Sequence, residues 1–459
     1  MTLRPYPDYR PSGLPWIGQI PSHWEVRRLK AFVRETSRVT QAASEPLLSL
    51  SKTRGLIRQS EMSSKPPSAD SLLKYKVVLP GEVVMNRMQA WNGLFGLASE
   101  AGLVSPDYTV FAPSAETARA WLLSLLREPR VVKQFQIASR GIGSGFFRLY
   151  TEDFGAVSVP VPPTREQEAI AAFVAAFDAR VNRLVGAKQR LLKLLAEQRQ
   201  GIVQRAVTRG LDPSVPMKPS GVPWLGDIPA HWERQHLGSA VKIVNGFPFD
   251  SKAFSLTTGL PLVRIRDIRS SQTTLLFSGP AVKEAWIETG DLLVGMDGDF
   301  NVARWSGPSA LLNQRVCCLR TRQSIETSYL AYLLPLPLKW INDLTFSTTV
   351  KHLSSGDIRH LRFHLPPLEE QQAIVEHLNR ELAALDAAAE KVRSEIDLVR
   401  EYRTRLVSDV VTGRLDVRDA VLPPLPGLAG STLGDALLDD AGLLPDDEAF
   451  DDTDTFDDA

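Results

Sequence analysis

Residues 12–29 read SGLPWIGQIPSHWEVRRL, and residues 220–237 read SGVPWLGDIPAHWERQHL. Eleven of the eighteen positions are identical. A second pair of phrases follows: PPTREQ at 162–167 returns as PPLEEQ at 366–371, and each runs into a long helical pattern. The period is about 205 residues, too long for a solenoid unit and suited to a duplicated domain. The chain therefore reads as two halves, each made of an entrance phrase, a body that does not repeat, and a helix.

Composition sets the class. At 459 residues the length allows about three domains, and the repeat organises them into two halves. With 43% hydrophobic and 23% charged residues, the chain has the balance of a globular protein with ample core. No apolar run approaches the roughly 18 residues of a membrane span, and the opening MTLRPYPDYRP lacks the apolar stretch of a secretory signal, so no membrane association is expected. Cys317 and Cys318 are adjacent, which excludes a CxxC site or an unstrained disulfide and points to a reducing, cytoplasmic location.

The formal net charge of zero conceals an asymmetry. Residues 435–459 hold eleven acids and no Lys or Arg, leaving 42 acids against 53 bases, a net of +11, over residues 1–434. Such a like-charge block is expected to be disordered. It reads as a solubilising tail, a docking segment or a mimic of DNA charge.

The helices are the clearest elements. Thr164 is placed as an N-cap with Glu166 and Gln167 in the first turn. Apolar residues then fall at Ile170, Val174, Phe177, Val181, Leu184, Leu191, Leu195 and Ile202. The second copy runs Ile374, Leu378, Leu382, Leu385, Ala389, Val392, Ile396, Val399 and Leu406, with Ala383, Ala384, Ala387 and Ala388 beside it. Four–three spacing is the seam pattern of a coiled coil, so the two helices are expected to pair, antiparallel because a whole body lies between them.

The bodies mix strand-like runs with turn signals. Strands are expected near 75–79, 82–85, 262–265, 290–294 and 315–319, and short helices at 115–126 and 328–334. Gly81–Glu82 and Gly290–Asp291 occupy comparable places, each a turn opening a strand. The fold class is thus α+β, with two β-rich bodies alternating with two long helices in a pseudo-twofold duplication.

The phrases WIGxIPxHWE and PPxxEQ, each occurring twice with a long helix after the second, resemble the specificity subunit of type I restriction–modification systems from about Tyr6 to Asp416. The match rests on Trp16, Pro21, His23, Trp24 and Glu25 with Trp224, Pro229, His231, Trp232 and Glu233, and on Pro162, Pro163, Glu166 and Gln167 with Pro366, Pro367, Glu370 and Gln371. The acidic tail, 417–459, lies outside the pattern. The resemblance implies target-recognition domains at 1–160 and 213–364 and spacer helices at 161–212 and 365–416. It further implies that each domain reads one half of a split DNA site, that the helices set the spacer, and that the subunit itself is not an enzyme. Two methyltransferase subunits, and restriction subunits, would be its partners. S-adenosylmethionine, ATP and Mg are then expected on those partners and none in this chain. Adenine methylation follows from the resemblance alone.

The residues agree independently. Two similar domains on a rigid spacer suit two half-sites at fixed separation, and tethering two weak readers raises affinity. Candidate DNA contacts in the first body are Lys52, Arg54, Asn86, Arg87, Gln89, Asn92, Arg140 and Arg148, the last two flanking a glycine-rich stretch. In the second they are Lys242, Asn245, Arg264, Arg266, Asn301, Arg304, Lys351 and His352. Asp297 and Asp299 read either as acceptors from cytosine or as turn formers. His23 and His231, each between two tryptophans, read as structural clamps or partner surfaces rather than general bases, and the PWIG and PWLG turns as pins joining each body to a helix end. No P-loop, dinucleotide fingerprint, metal-spaced His/Cys cluster or GxSxG elbow occurs. The competing function is a non-catalytic assembly scaffold with vestigial or non-specific DNA binding.

Overall fold

The computed structural model describes residues 3–39, 45–52, 54–62, 74–141, 147–344 and 352–422. The acidic segment 435–459 lies outside them. The chain divides into two compact units, Met1–Gln189 with Arg393–Ala459, and Arg190–Val392.

The bodies are duplicated in topology where their sequences are not. The first unit holds an antiparallel sheet ordered Val33–Thr36, Tyr108–Pro113, Val83–Asn86, Phe95–Leu97. The second holds one ordered Val241–Asn245, Val316–Thr321, Leu292–Gly295, Val302–Arg304. Val83, Val84 and Met85, and likewise Leu292, Leu293 and Val294, are buried, because apolar side chains on both faces of these strands meet protein. A two-stranded ladder in each unit ties the end of the entrance phrase to the strand before the long helix: Glu25–Arg28 with Ser158–Val161, and Glu233–His236 with Arg362–Leu365. The second body adds a five-stranded sheet that includes Leu260–Val263 parallel to Ala310–Leu312. The first has instead the hairpins Leu48–Ser51 with Gly55–Arg58 and Lys76–Val78 with Gly102–Val104.

Gly81 and Gly290 both take positive φ, 84° and 95°, at the turns entering the equivalent buried strands. The acid after each performs the same task. Glu82 accepts from the Leu79 amide at 2.8 Å and pairs with Arg38, while Asp291 accepts from the Glu288 amide at 2.9 Å and pairs with Arg320. The short helices form at Arg119–Leu126 and Thr327–Leu333. Each is followed by a helix that periodicity did not indicate, Pro129–Ala138 and Pro335–Leu344. Proline at the first helical position, where no amide hydrogen bond is lost, starts both.

The long helices span Thr164–Arg209 and Leu368–Val411. Thr164 is not the N-cap. The carbonyl of Pro163 accepts the first helical amides, from Glu166 and Gln167, and the Thr164 hydroxyl donates to the Glu116 carbonyl at 3.0 Å. Within the first unit the two helices run antiparallel: Asp178 accepts two bonds from Arg403 at 2.8 and 2.7 Å, and Lys188 meets Glu395 at 2.6 Å. Ile170, Val174, Phe177, Val181 and Leu184 share a core there with Val399, Leu406 and Val410. In the second unit Arg199 meets Asp386 at 3.0 Å, and Val203, Ala206 and Val207 share a core with Ile374, Leu378 and Leu382. Leu191 departs from the expected seam and is 44% exposed. Ala383, Ala384, Ala387 and Ala388 of the second helix are likewise exposed.

The two repeated phrases meet in space. Glu166, 4% exposed, accepts from Trp24 Nε1 at 2.8 Å and from the Tyr6 hydroxyl, and its other oxygen lies 2.8 Å from His23 Nε2. Burial and the adjacent carboxylate push the Tyr6 phenol far above its ordinary pKa. In the second copy Glu370 accepts from Trp232 at 3.2 Å and lies 2.7 Å from His231 Nε2. Gln167 and Gln371 act alike. Each accepts one backbone amide, from Ala118 or Glu326 at 2.9 Å, and each donates to the first proline carbonyl of its own PPxxEQ phrase. Helix-end glycines complete the clamps. Gly413 (φ 78°) lies against Pro21 and Trp24, where an added Cβ would fall 2.7 Å from the proline ring. Gly210 (φ 70°) lies against Glu370 and Trp232. The PWIG and PWLG turns, expected to pin the bodies to helix ends, instead close the hairpins Tyr9–Pro11 with Gln19–Pro21 and Met217–Pro219 with Asp227–Pro229, with Trp16 and Trp224 half-buried. The pin is the His–Trp pair that follows.

Two outcomes follow. Glu166→Ala would leave two buried donors unpaired and is expected to cost about 3 kcal/mol, read as a lowered urea midpoint. Glu370→Ala should cost less, since the Glu370 side chain is 26% exposed. Cys317 and Cys318 face different cores from adjacent positions of one buried strand, and burial pushes the Cys317 thiol up to about 12 and Cys318 higher. Neither should react with iodoacetamide at pH 8 until the chain is unfolded; prompt native labelling would contradict this burial.

Candidate nucleic-acid interface

In both bodies one loop leaves the buried third strand of the sheet and is clasped by the segment preceding a short helix. In the first, Asn86 Oδ1 accepts from the Met88 amide at 3.0 Å, folding the chain back at the strand end. A single 3-10 turn, Ala90–Asn92, follows, and Gly93 (φ 80°) closes it. Trp91 Nε1 donates to the Met88 carbonyl at 2.8 Å. These bonds leave Gln89 and Asn92 exposed, with Asn86 and Arg87 half-buried. The clasp is a main-chain bond from Leu149, fully buried, to the Arg87 carbonyl at 3.0 Å. Trp91 packs on Phe147 with ring centroids 5.9 Å apart, and Arg148 Nε lies 3.4 Å from the Met88 sulfur.

The second body repeats this arrangement. Leu353, also buried, donates its amide to the Met296 carbonyl at 2.7 Å, and Met296 directly follows the strand Leu292–Gly295. His352 Nδ1 lies 2.6 Å from Asp297, which also pairs with Arg315. Desolvation works against the Asp297 charge, but His352 and Arg315 hold its carboxyl below the usual carboxylate range. Asp297 therefore fastens the loop, as a turn former would, and Asp299 stays exposed. Phe300 is buried with φ 50°, the one non-glycine residue with positive φ among the described residues. Backbone strain of this kind is tolerated where surrounding packing fixes it.

The candidate contacts divide into free and committed side chains. Lys52, Gln89, Asn92, Lys242, Asn245 and Arg266 are exposed, and no side-chain bond among the described residues holds them. Arg54 pairs with Glu61. Arg87 donates to the Asp107 carbonyl at 2.9 Å. Arg140 pairs with Asp153 at 2.8 Å, and both Arg140 and Arg148 lie over the Tyr150 ring. Arg264 bonds Asp267 at 3.2 Å as part of its own turn. Arg304 donates to Ser328 at 3.2 Å and, with Asn301, lines a cleft of about 1080 Å³. Lys351 and the glycine-rich stretch 142–146 lie outside the described residues. The structure thus joins 86–92 with 147–149, and 296–297 with 352–353. Sequence reading missed Trp91, Phe147, Arg315 and Phe300, because their roles depend on partners distant in the chain.

Comparisons with known proteins agree with this architecture. Residues 229–396 match the family described as the type I restriction modification DNA specificity domain. Over 190 residues the chain is 38% identical to the EcoBI specificity subunit of Escherichia coli, a stretch covering 41% of this chain and 40% of that relative. It is 22% identical over 428 residues to the putative MjaX specificity subunit of Methanocaldococcus jannaschii, covering 88% of this chain and 96% of the relative. A solved structure, from work on complex assembly and conformational transition of the type I R-M system, shares the fold over 86% of this chain and 99% of its own, with a TM-score of 0.62 and 19% identity. The similarity to type I specificity subunits read from the repeated phrases is shown by these matches.

The Asp297 clasp makes a pH prediction. A carboxyl whose pKa is depressed on folding adds stability above its unfolded pKa and loses it as pH falls through the folded value. The Tm difference between wild type and Asp297→Asn should be present at pH 7 and vanish below the usual carboxylate range. A difference independent of pH would refute the ionic clasp.

Proposed function

We propose that this chain is the DNA-reading, non-catalytic subunit of a cytoplasmic type I restriction–modification assembly. The domains at 1–160 and 213–364 each read half of a bipartite duplex target. The helices pair as an antiparallel coiled coil that sets the spacer and docks two methyltransferase subunits, with restriction subunits joining them. S-adenosylmethionine, ATP and Mg belong to those partners, and the methylated base is adenine.

The observation that carries the reading is the repetition of one clasped loop at the same topological place in both bodies, with different exposed side chains on each. Gln89 and Asn92 suit adenine or mixed base edges through paired amide bonds, and exposed lysines and arginines suit phosphates. A shared frame presenting unlike chemistry is what reading two different half-sites requires.

Footprinting the chain with its methyltransferase subunits tests this. Two short protected blocks separated by an unprotected centre are expected. Binding indifferent to sequence would favour the scaffold reading instead. Removing seven residues from both helices should shorten the preferred spacer; an unchanged target would refute the ruler. Gln89→Ala with Asn92→Ala should relax specificity in one half-site by about 1–3 kcal/mol per lost bidentate contact, leaving the other unchanged.

A further inference from the structure

Away from the clasped loop, the second body carries a concavity of about 440 Å³ lined by Lys242, Arg322, Arg359, His236 and His360, with no carboxylate in its wall. All five are exposed, and no ion pair among the described residues engages Lys242, Arg322 or Arg359. The nearest acid along the chain, Asp357, is occupied capping its own helix: it accepts from the Ser354 amide at 2.9 Å. A cluster of exposed cations sharing one concavity presents a surface complementary to an anion from outside.

The concavity is built by close backbone packing. Gly238, in the turn Leu237–Ala240, lies beneath Arg359 of the helix Ser355–His360. A Cβ there would fall 2.4 Å from Arg359 Cγ and 3.1 Å from its carbonyl. The equivalent positions in the first body also carry cations. Arg28 ends the matching strand, Lys30 lies in the matching turn over Gly155, and Arg34 takes the position of Lys242 in the first strand of the sheet. All three are exposed.

We infer that Lys242, Arg322 and Arg359 form a phosphate clamp that grips the duplex backbone beside the half-site read by the second body, with Arg28, Lys30 and Arg34 its counterpart in the first. The inference rests on the DNA-reading function proposed above and adds to it a second, sequence-blind contact in each body. The clamp would fix the register of each body on the helix without contributing to the choice of bases.

The test is fluorescence anisotropy of the full chain with its methyltransferase subunits on a labelled 40-base-pair duplex, over about 50 to 200 mM salt. Each phosphate contact contributes about 0.9 to the slope of log K against log salt. The triple variant K242Q/R322Q/R359Q should therefore lower the slope by about 2 to 3, with the preference for the cognate sequence retained. Unreactive Cys317 and Cys318 report that the variant is folded. Should the triple not fold, K242Q alone should lower the slope by about 1. An unchanged slope overturns the clamp, as does loss of methyltransferase association with DNA affinity intact, which would make the concavity a protein contact. Failure of the wild-type complex to bind any duplex would instead sink the DNA-reading function itself.

Discussion

A carboxylate near the start of each long helix, buried at Glu166 and partly exposed at Glu370, is the interaction on which both bodies depend. Glu166 receives the indole of Trp24, the phenol of Tyr6 and the imidazole of His23. In a low-dielectric site a carboxylate must collect such donors, and donors that lose it are left unsatisfied. The two repeated phrases are therefore the two sides of one contact: HWE supplies the donors and PPxxEQ supplies the acceptor. Neither can change alone without cost, which explains why they repeat together while the bodies between them do not. The neighbouring glutamine extends the arrangement by tying backbone of the body, at Ala118 or Glu326, to the helix entrance.

The duplication was legible from sequence wherever side chains meet a fixed partner. The helices, the seam at Ile170 to Leu184 and the buried strands showed themselves because periodicity reports burial directly. The match between the two bodies was legible only at the turns Gly81–Glu82 and Gly290–Asp291. Val33–Thr36 and Val241–Asn245 share a place in the sheet with little identity, since a strand needs only apolar alternation and compatible neighbours. Helices Pro129–Ala138 and Pro335–Leu344 were missed because proline reads as a stop when it is also a good first residue.

The candidate site was legible in its residue types and not in their employment. Arg87, Arg264 and Arg54 looked like contacts, yet each has a partner within its own body. A guanidinium offers five donors and finds carbonyls or carboxylates wherever loops turn, so composition cannot separate an anchoring arginine from a reading one. Gln89 and Asn92 differ because the turn that holds them uses backbone groups and leaves their amides unspent.

The clasps themselves are bonds between main-chain atoms, Leu149 to Arg87 and Leu353 to Met296. A peptide group is the same whatever side chain it carries. Exposed residues that spend no bond on the loop, such as Gln89 and Asn92, can therefore be exchanged during evolution without loosening these main-chain fastenings, whereas Asp297 and His352 add an ionic bond to the second. Such a joint separates heritable change in preference from heritable change in stability, so new preferences can arise by substitution on an inherited frame.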